Sequence, residues 1–202
     1  SSGFCRRSQW LAAILLCLLG WLDLGPVLAR QVIMDVHFPL DQSETTLNNL
    51  REIIQTRDGY LWIATRNGFF RYDGQRLQRH YAHAAGAPSR NLIHSDINCL
   101  EEGQGDALWI GTALGLARFG RRKQTFHHYP VQPESPYGLD NPFVGALLLD
   151  SQGRLWVGTW DGLHHYDRRQ DRLEKIHLAG LPAKDLDIRA IIESRNGDLW
   201  IG

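Results

Sequence analysis

Leu61-Trp62-Ile63-Ala64-Thr65 recurs as Leu108-Trp109-Ile110-Gly111-Thr112, then as Leu155-Trp156-Val157-Gly158-Thr159, and in part as Leu199-Trp200-Ile201-Gly202. The tryptophans stand 47, 47 and 44 residues apart. Self-similarity at a fixed period of roughly 20–50 residues is the mark of a repeat architecture. The match extends outward from the tryptophan in both directions. Twelve residues before it lie Leu50, Ile97, Val144 and Ile188, and nine before it Ile53, Leu100, Leu147 and Ile191. Six after it come Gly68, Gly115 and Gly162, followed by an apolar residue (Phe69, Leu116, Leu163) and, three further on, an aromatic (Tyr72, Phe119, Tyr166).

Each unit reads as four short strands. In the first unit they are Leu50–Gln55, Tyr60–Thr65, Gly68–Tyr72 and Arg76–Tyr81, rich in β-branched and aromatic residues. Asp58-Gly59, Asn67-Gly68 and Asp73-Gly74 punctuate them, and such dipeptides supply the positive φ that tight hairpins need. No stretch between glycines carries a helical period. Four antiparallel strands per period make the blade of a β-propeller. The expected fold is therefore all-β, with blades at about 48–81, 95–129, 142–177 and a truncated 187–202, an incomplete array of about three and a half blades. A blade cannot bury both faces alone. Trp62, Trp109, Trp156 and Trp200 are accordingly read as structural plates pressed between blades, with the Gly or Ala two residues later admitting the neighbour closely. Isolated, such an array is expected to expose two sheet edges and to aggregate or partly unfold. Repeat two departs at one turn: Gly105 lies four residues before its Trp, where Gly59, Gly153 and Gly197 lie three before. The flanking apolar offsets do not shift, so the turn differs without an insertion.

Residues 1–29 are of another kind. Arg6-Arg7 precede the apolar run Trp10–Leu22, and Val27-Leu28-Ala29 offers a small-residue cleavage site. That is the pattern of a secretory signal peptide, and the run is short for a bilayer span of ~20 residues. Residues 30–47 form a lead-in in which His37-Phe38-Pro39-Leu40 reads as a strand that completes another blade. Cys99 is the one cysteine after the signal, and it reads as a buried structural residue. The formal net charge is zero, which gives no electrostatic reason for a nucleic-acid partner.

The fourth-to-first strand connections, about Ala82–Ser95, Pro130–Pro142 and Leu178–Asp187, are long and Pro-bearing, as functional loops often are. Strand order places them on the face of the Thr-x-x-Gly turns, here called the upper face. Trp160 is the aromatic that breaks the repeat; its equivalents are Arg66 and Ala113. Trp160, Asp161, Tyr137 of the Pro130–Pro142 loop and Arg66 are the candidate ligand-binding residues: an aromatic pair to stack a sugar ring, with polar groups for its hydroxyls. The competing reading is that Trp160 clamps that loop. No catalytic residues, metal site or cofactor are expected. His127-His128 and His164-His165 are strand pairs pointing to opposite faces, read as solvated or half-buried, and no metal-ligand spacing is present.

The consensus Asp-x-x-Gly-x-Leu-Trp-Ile-Gly-Thr-x-x-Gly-Leu-x-x-Tyr-Asp resembles the repeat of the two-component regulator propeller family. Asp150–Asp167 follows it closely, repeat one departs at Ala64 and Phe69, and repeat two at Gly105 and Gly120. The resemblance covers about residues 38–202. It implies a periplasmic sensor domain of an inner-membrane receptor, anchored by segments other than these 202 residues and homodimeric as a whole. It further implies a small periplasmic ligand such as a saccharide, and an output domain that is a histidine kinase or a diguanylate cyclase. The alternative is a secreted propeller enzyme resembling streptogramin lyases, which would need a His and acidic residues converging on the channel.

Overall fold

In the computed structural model, the described residues are 49–80, 91–180 and 186–202, and they hold strands and no α-helix. The signal peptide (1–29), the lead-in (30–47), most of the first long connection and part of the third lie outside the described residues. The first blade is β1 (Leu50–Gln55), β2 (Leu61–Thr65), β3 (Gly68–Tyr72) and β4 (Leu77–His80). The second is β5 (Ile97–Glu102), β6 (Ala107–Thr112), β7 (Gly115–Gly120) and β8 (Thr125–Tyr129). The third is β9 (Val144–Leu149), β10 (Leu155–Thr159), β11 (Gly162–Asp167) and β12 (Arg172–Ile176), and β13 (Ile191–Glu193) pairs with β14 (Leu199–Ile201) in the fourth. Every sheet is an antiparallel meander in chain order. Repeat two keeps the register of repeat one, Glu102 facing Leu108 as Gln55 faces Leu61. Its Gly105 takes φ +71° where Gly59 takes +87° one position later, so the turn is redrawn without a slip of the ladder.

The first strands share an irregularity the repeat did not announce. Their pairing skips Arg51, Asn98 and Gly145, all eleven residues before their tryptophans. A bulge at a constant place bends the strand and sharpens its twist.

The blades stack through the tryptophans. Trp62 sits among Ile97, Leu108, Ile110 and Phe119 of the second blade, its ring 5.9 Å from that of Phe119. Trp109 meets Tyr166 of the third blade edge-on at 4.7 Å, in a cluster with Leu155, Val157 and Leu173. Trp156, partly buried, packs against the cluster that Ile188 and Ile191 of the fourth blade form with Ala146 and Leu163. Trp200 is 65% exposed. Leu50 and Ile53 of β1 are likewise exposed, whereas Ile97, Val144 and Ile188 are buried. Gly111 and Gly158 are small because the next blade lies on them. A Cβ at Gly111 would fall 2.7 Å from Val144 Cγ1, and one at Gly158 2.9 Å from Ile188 Cβ. The residue twelve before one tryptophan therefore seats on the residue two after the previous one.

Polar ties repeat as well. The buried Thr65, Thr112 and Thr159 each donate from Oγ1 to the carbonyl of Gly68, Gly115 or Gly162 (2.7, 2.8 and 3.1 Å). Each also accepts an N–H from inside the turn, of Asn67, Leu114 or Asp161. Seven residues before their tryptophans, Glu102 accepts Arg57 N–H (3.0 Å) and Glu193 accepts Ser151 N–H (2.7 Å), each reaching back to the preceding blade.

Candidate functional site

The β10–β11 turn of the third blade is a Thr-x-x-Gly turn with Gly162 at φ +151°. Its two central residues, Trp160 and Asp161, project on the upper face. Trp160 stacks on Phe143, centroids 4.2 Å apart and planes 22° off parallel, and remains 43% exposed. Asp161 Oδ2 accepts from Asn141 Nδ2 at 2.7 Å, and Asn141 Oδ1 accepts the N–H of Phe143 at 2.8 Å. The turn and the end of the Pro130–Pro142 loop thus hold each other, one indole face against Phe143.

A buried clasp lies beneath. His164 on β11 is fully buried. Its Nε2 accepts the N–H of Asp140 at 3.2 Å, and its Nδ1 faces the carbonyl of Val157 at 3.4 Å. The neutral ring with its proton on Nδ1 satisfies both contacts, and burial lowers the pKa of His164, with Asp140 opposing. Lys175 on β12 pairs with Asp140 Oδ1 and donates to the carbonyl of Pro133 at 2.5 Å. The expectation of solvated or half-buried strand histidines is thereby corrected for His164: the long loop covers it. His165, on the other face of the strand, is half-buried beside the Trp156 ring at 5.3 Å.

The structure does not bring the four candidate residues into one cluster. Tyr137 lies under the Arg172 guanidinium, 3.6 Å from Cζ to the ring centroid, and bridges to Glu174 of β12, the outermost strand of its blade. The aromatic stacked on Trp160 is Phe143. Arg66 is exposed in the equivalent turn of the first blade, and beside the second-blade turn Leu114 is exposed. Asn141, Phe143 and Asp140 escaped the sequence reading because none recurs, and His164 was read without the loop that covers it. Asn141-Pro142, a turn dipeptide, was the available signal. Among the described residues no group of three or more His, Cys, Asp or Glu side chains is placed to hold a metal ion.

Asp150, buried, fixes the β9–β10 turn on the lower face. Its carboxylate accepts from Trp156 Nε1 (2.9 Å), Arg154 Nε (2.6 Å) and the N–H groups of Gln152 and Arg154. Desolvation is the largest single effect and raises its pKa, but the donors and the Arg154 charge together outweigh it and lower the pKa. Between the second and third blades, Asp171 collects Tyr129 Oη (2.7 Å), Tyr166 Oη (2.6 Å) and the Arg118 guanidinium (3.0 and 3.1 Å). Asp171 takes φ +49°, as Gln124 in the equivalent turn of the second blade takes +53°.

Residues 138–161 match the family described as two component regulator propeller. No curated protein matches the chain. Among solved structures, the extracellular domain of the hybrid two-component system BT3049 of B. thetaiotaomicron is 25% identical with a TM-score of 0.67, over 77% of this chain and 22% of that one. The extracellular domain of the one-component system BT4673 of the same organism is 20% identical with a TM-score of 0.50, over 76% of this chain and 25% of that one. The chain thus spans about a quarter or less of the length of these structures. Blade pattern, matched segment and fold agree: residues 138–161 match the two-component regulator propeller repeat, within an array of propeller-like blades.

Proposed function

We propose that these blades belong to the extracytoplasmic, ligand-sensing propeller of a bacterial transmembrane signalling receptor. The observation that carries the reading is the match to an extracellular domain of a hybrid two-component system over 77% of this chain. In this reading residues 1–29 direct export. The ligand is a small periplasmic solute such as a saccharide, and a histidine kinase or diguanylate cyclase in a homodimeric whole receptor delivers the output.

The upper face of the third blade is where that ligand would be read. Trp160 offers an indole face beside a carboxylate already positioned by Asn141, an amphipathic surface of the kind that stacks on a ring and bonds its hydroxyls. The loop beneath is tied down at Asp140, Asn141 and Phe143, so binding would not have to order it.

The test is Trp160→Ala in the whole receptor, read by reporter output against a panel of mono- and oligosaccharides. Loss of the Phe143 stack costs about 0.5–1.5 kcal/mol, so a small fall in melting temperature accompanies the change in either reading. Binding predicts that the response disappears while folded protein stays abundant. An unaltered response in folded Trp160→Ala receptor leaves Trp160 as a loop clamp only.

A further inference from the structure

Repeat two departs from its neighbours at the β5–β6 turn, and a cavity opens beside that turn. It has a volume of about 440 Å³, lies between the second and third blades, and is walled by residues of their lower-face turns, Gln104, Asp106, Lys123 and Arg168 among them. Small-molecule sites occupy roughly 300–1,000 Å³.

The wall contains an indole donor with no protein acceptor among the described residues. In the first blade Thr56 Oγ1 accepts the indole N–H of Trp62 at 3.2 Å, and in the third Asp150 Oδ2 accepts that of Trp156 at 2.9 Å. Both acceptors stand six residues before their tryptophans. The second blade has Gly103 there. A Cβ on Gly103 would fall 2.7 Å from Trp109 Nε1, so this indole leaves no room for such a side chain. Among the described residues Trp109 Nε1 has no hydrogen-bond partner, although Trp109 is only 3% exposed, and Trp109 lines the cavity. The N–H opens on the cavity, where a ligand oxygen can accept from it.

The other open groups are donors too. Lys123 has no partner among the described residues, and the Arg168 guanidinium is tied only to Gln104. The carboxylates of the wall are engaged: Asp171 by Arg118 and the two tyrosines, Asp106 by the N–H of Arg122 at 3.1 Å. We propose that this cavity is a second ligand site, on the face opposite Trp160, and that it takes a small carboxylate-bearing solute. One carboxylate oxygen accepts from Trp109 Nε1, and Lys123 and Arg168 supply charge-assisted hydrogen bonds. The site rests on groups remote from Trp160, so its failure would leave the upper-face reading untouched.

The experiment is calorimetric titration of the purified whole protein with succinate, citrate and the neutral isostere succinamide. Both carboxylates should bind with Kd below roughly 10 mM, and succinamide at least about tenfold more weakly. Lys123→Gln and Arg168→Gln, both on exposed turns, should each weaken succinate binding about fivefold or more. Arg122→Gln, which does not line the cavity, should leave it unchanged. The proposal is overturned if neither carboxylate binds in that range, if succinamide binds equally, or if Lys123→Gln and Arg168→Gln titrate like the parent.

Discussion

Truncating Trp109 to alanine tests whether the repeated tryptophan holds one blade to the next. The side chain is 3% exposed. It meets Tyr129 of its own blade at 5.3 Å and Tyr166 of the next at 4.7 Å, with the Arg118 guanidinium 5.7 Å from its ring. A tryptophan buries about 150–250 Å², which at ~25 cal/mol/Å² is about 4–6 kcal/mol of transfer free energy. Alanine retains part of that, and aromatic truncations in cores cost about 3–5 kcal/mol. Trp109→Ala should therefore destabilise by ~3–5 kcal/mol in denaturant melts followed by far-ultraviolet circular dichroism. The same change at Trp200, which is 65% exposed, should cost less than about 1 kcal/mol in this chain. A double-mutant cycle between Trp109→Ala and Tyr166→Leu should return a coupling of about 0.5–1.5 kcal/mol, the edge-on pair across the blade interface. A cost at Trp109 under about 1 kcal/mol, or no coupling to Tyr166, would refute the interblade reasoning.

Thr159→Val keeps the shape of a fully buried residue but removes both turn hydrogen bonds, to Gly162 O and from Asp161 N–H. Thermal melts should show a loss of about 1–3 kcal/mol, the cost of stranding buried backbone groups. Acid should act on two groups with opposite signs. Burial lowers the pKa of His164, so its contribution to stability is present above the ordinary histidine value of about 6.5 and falls as pH drops below it. Glu101 is raised to about 7, first by burial and then by Glu52, so its contribution is present below the ordinary carboxylate range and lost as pH rises toward 7. Glu101→Gln should therefore steepen the loss of melting temperature between about pH 6.5 and 5, leaving the His164 effect unopposed. A pH profile identical to the parent would show that Glu101 does not titrate in this window.

The blades were legible because interblade packing repeats its chemistry. A plate every 44–47 residues, an apolar residue twelve before it and a small one two after it form one contact, Val144 on Gly111 or Ile188 on Gly158. Stacking demands that contact at every interface. The bulges at Arg51, Asn98 and Gly145 were not legible, because a bulge selects for backbone path and those three side chains share no chemistry. The interblade carboxylates Glu102 and Glu193 fell below notice for a related reason. The same position holds Gln55 in the first blade and Leu149 in the third, so only two interfaces of the array use it. At the upper face, strand order put Trp160 and the Pro130–Pro142 loop together, but the residue it meets was set by the path of the loop. Asn141 and Asp140 anchor that path so that Phe143 reaches the indole and Tyr137 is left on Arg172.

Each blade touches only its neighbours, so the positions that recur are those committed to stacking. A position that departs from the repeat is released from that duty and can answer to something else. Two departures stand out in this chain. Trp160 replaces the Arg or Ala of its siblings and leaves an indole 43% exposed on the upper face. Gly103 replaces the Thr or Asp that receives the tryptophan N–H, and leaves Trp109 with a donor beside a cavity on the lower face. Neither is required by the fold, since the first and third blades stack well with ordinary residues at Gly103's position and the first two with ordinary residues at Trp160's. A large exposed aromatic is open to a partner, and the Trp109 N–H faces the cavity without a protein acceptor among the described residues. One ligand could cover the indole and another supply an acceptor to the N–H, and the order of the strands puts the two on opposite faces, Trp160 on the third blade and the Trp109 donor between the second and the third.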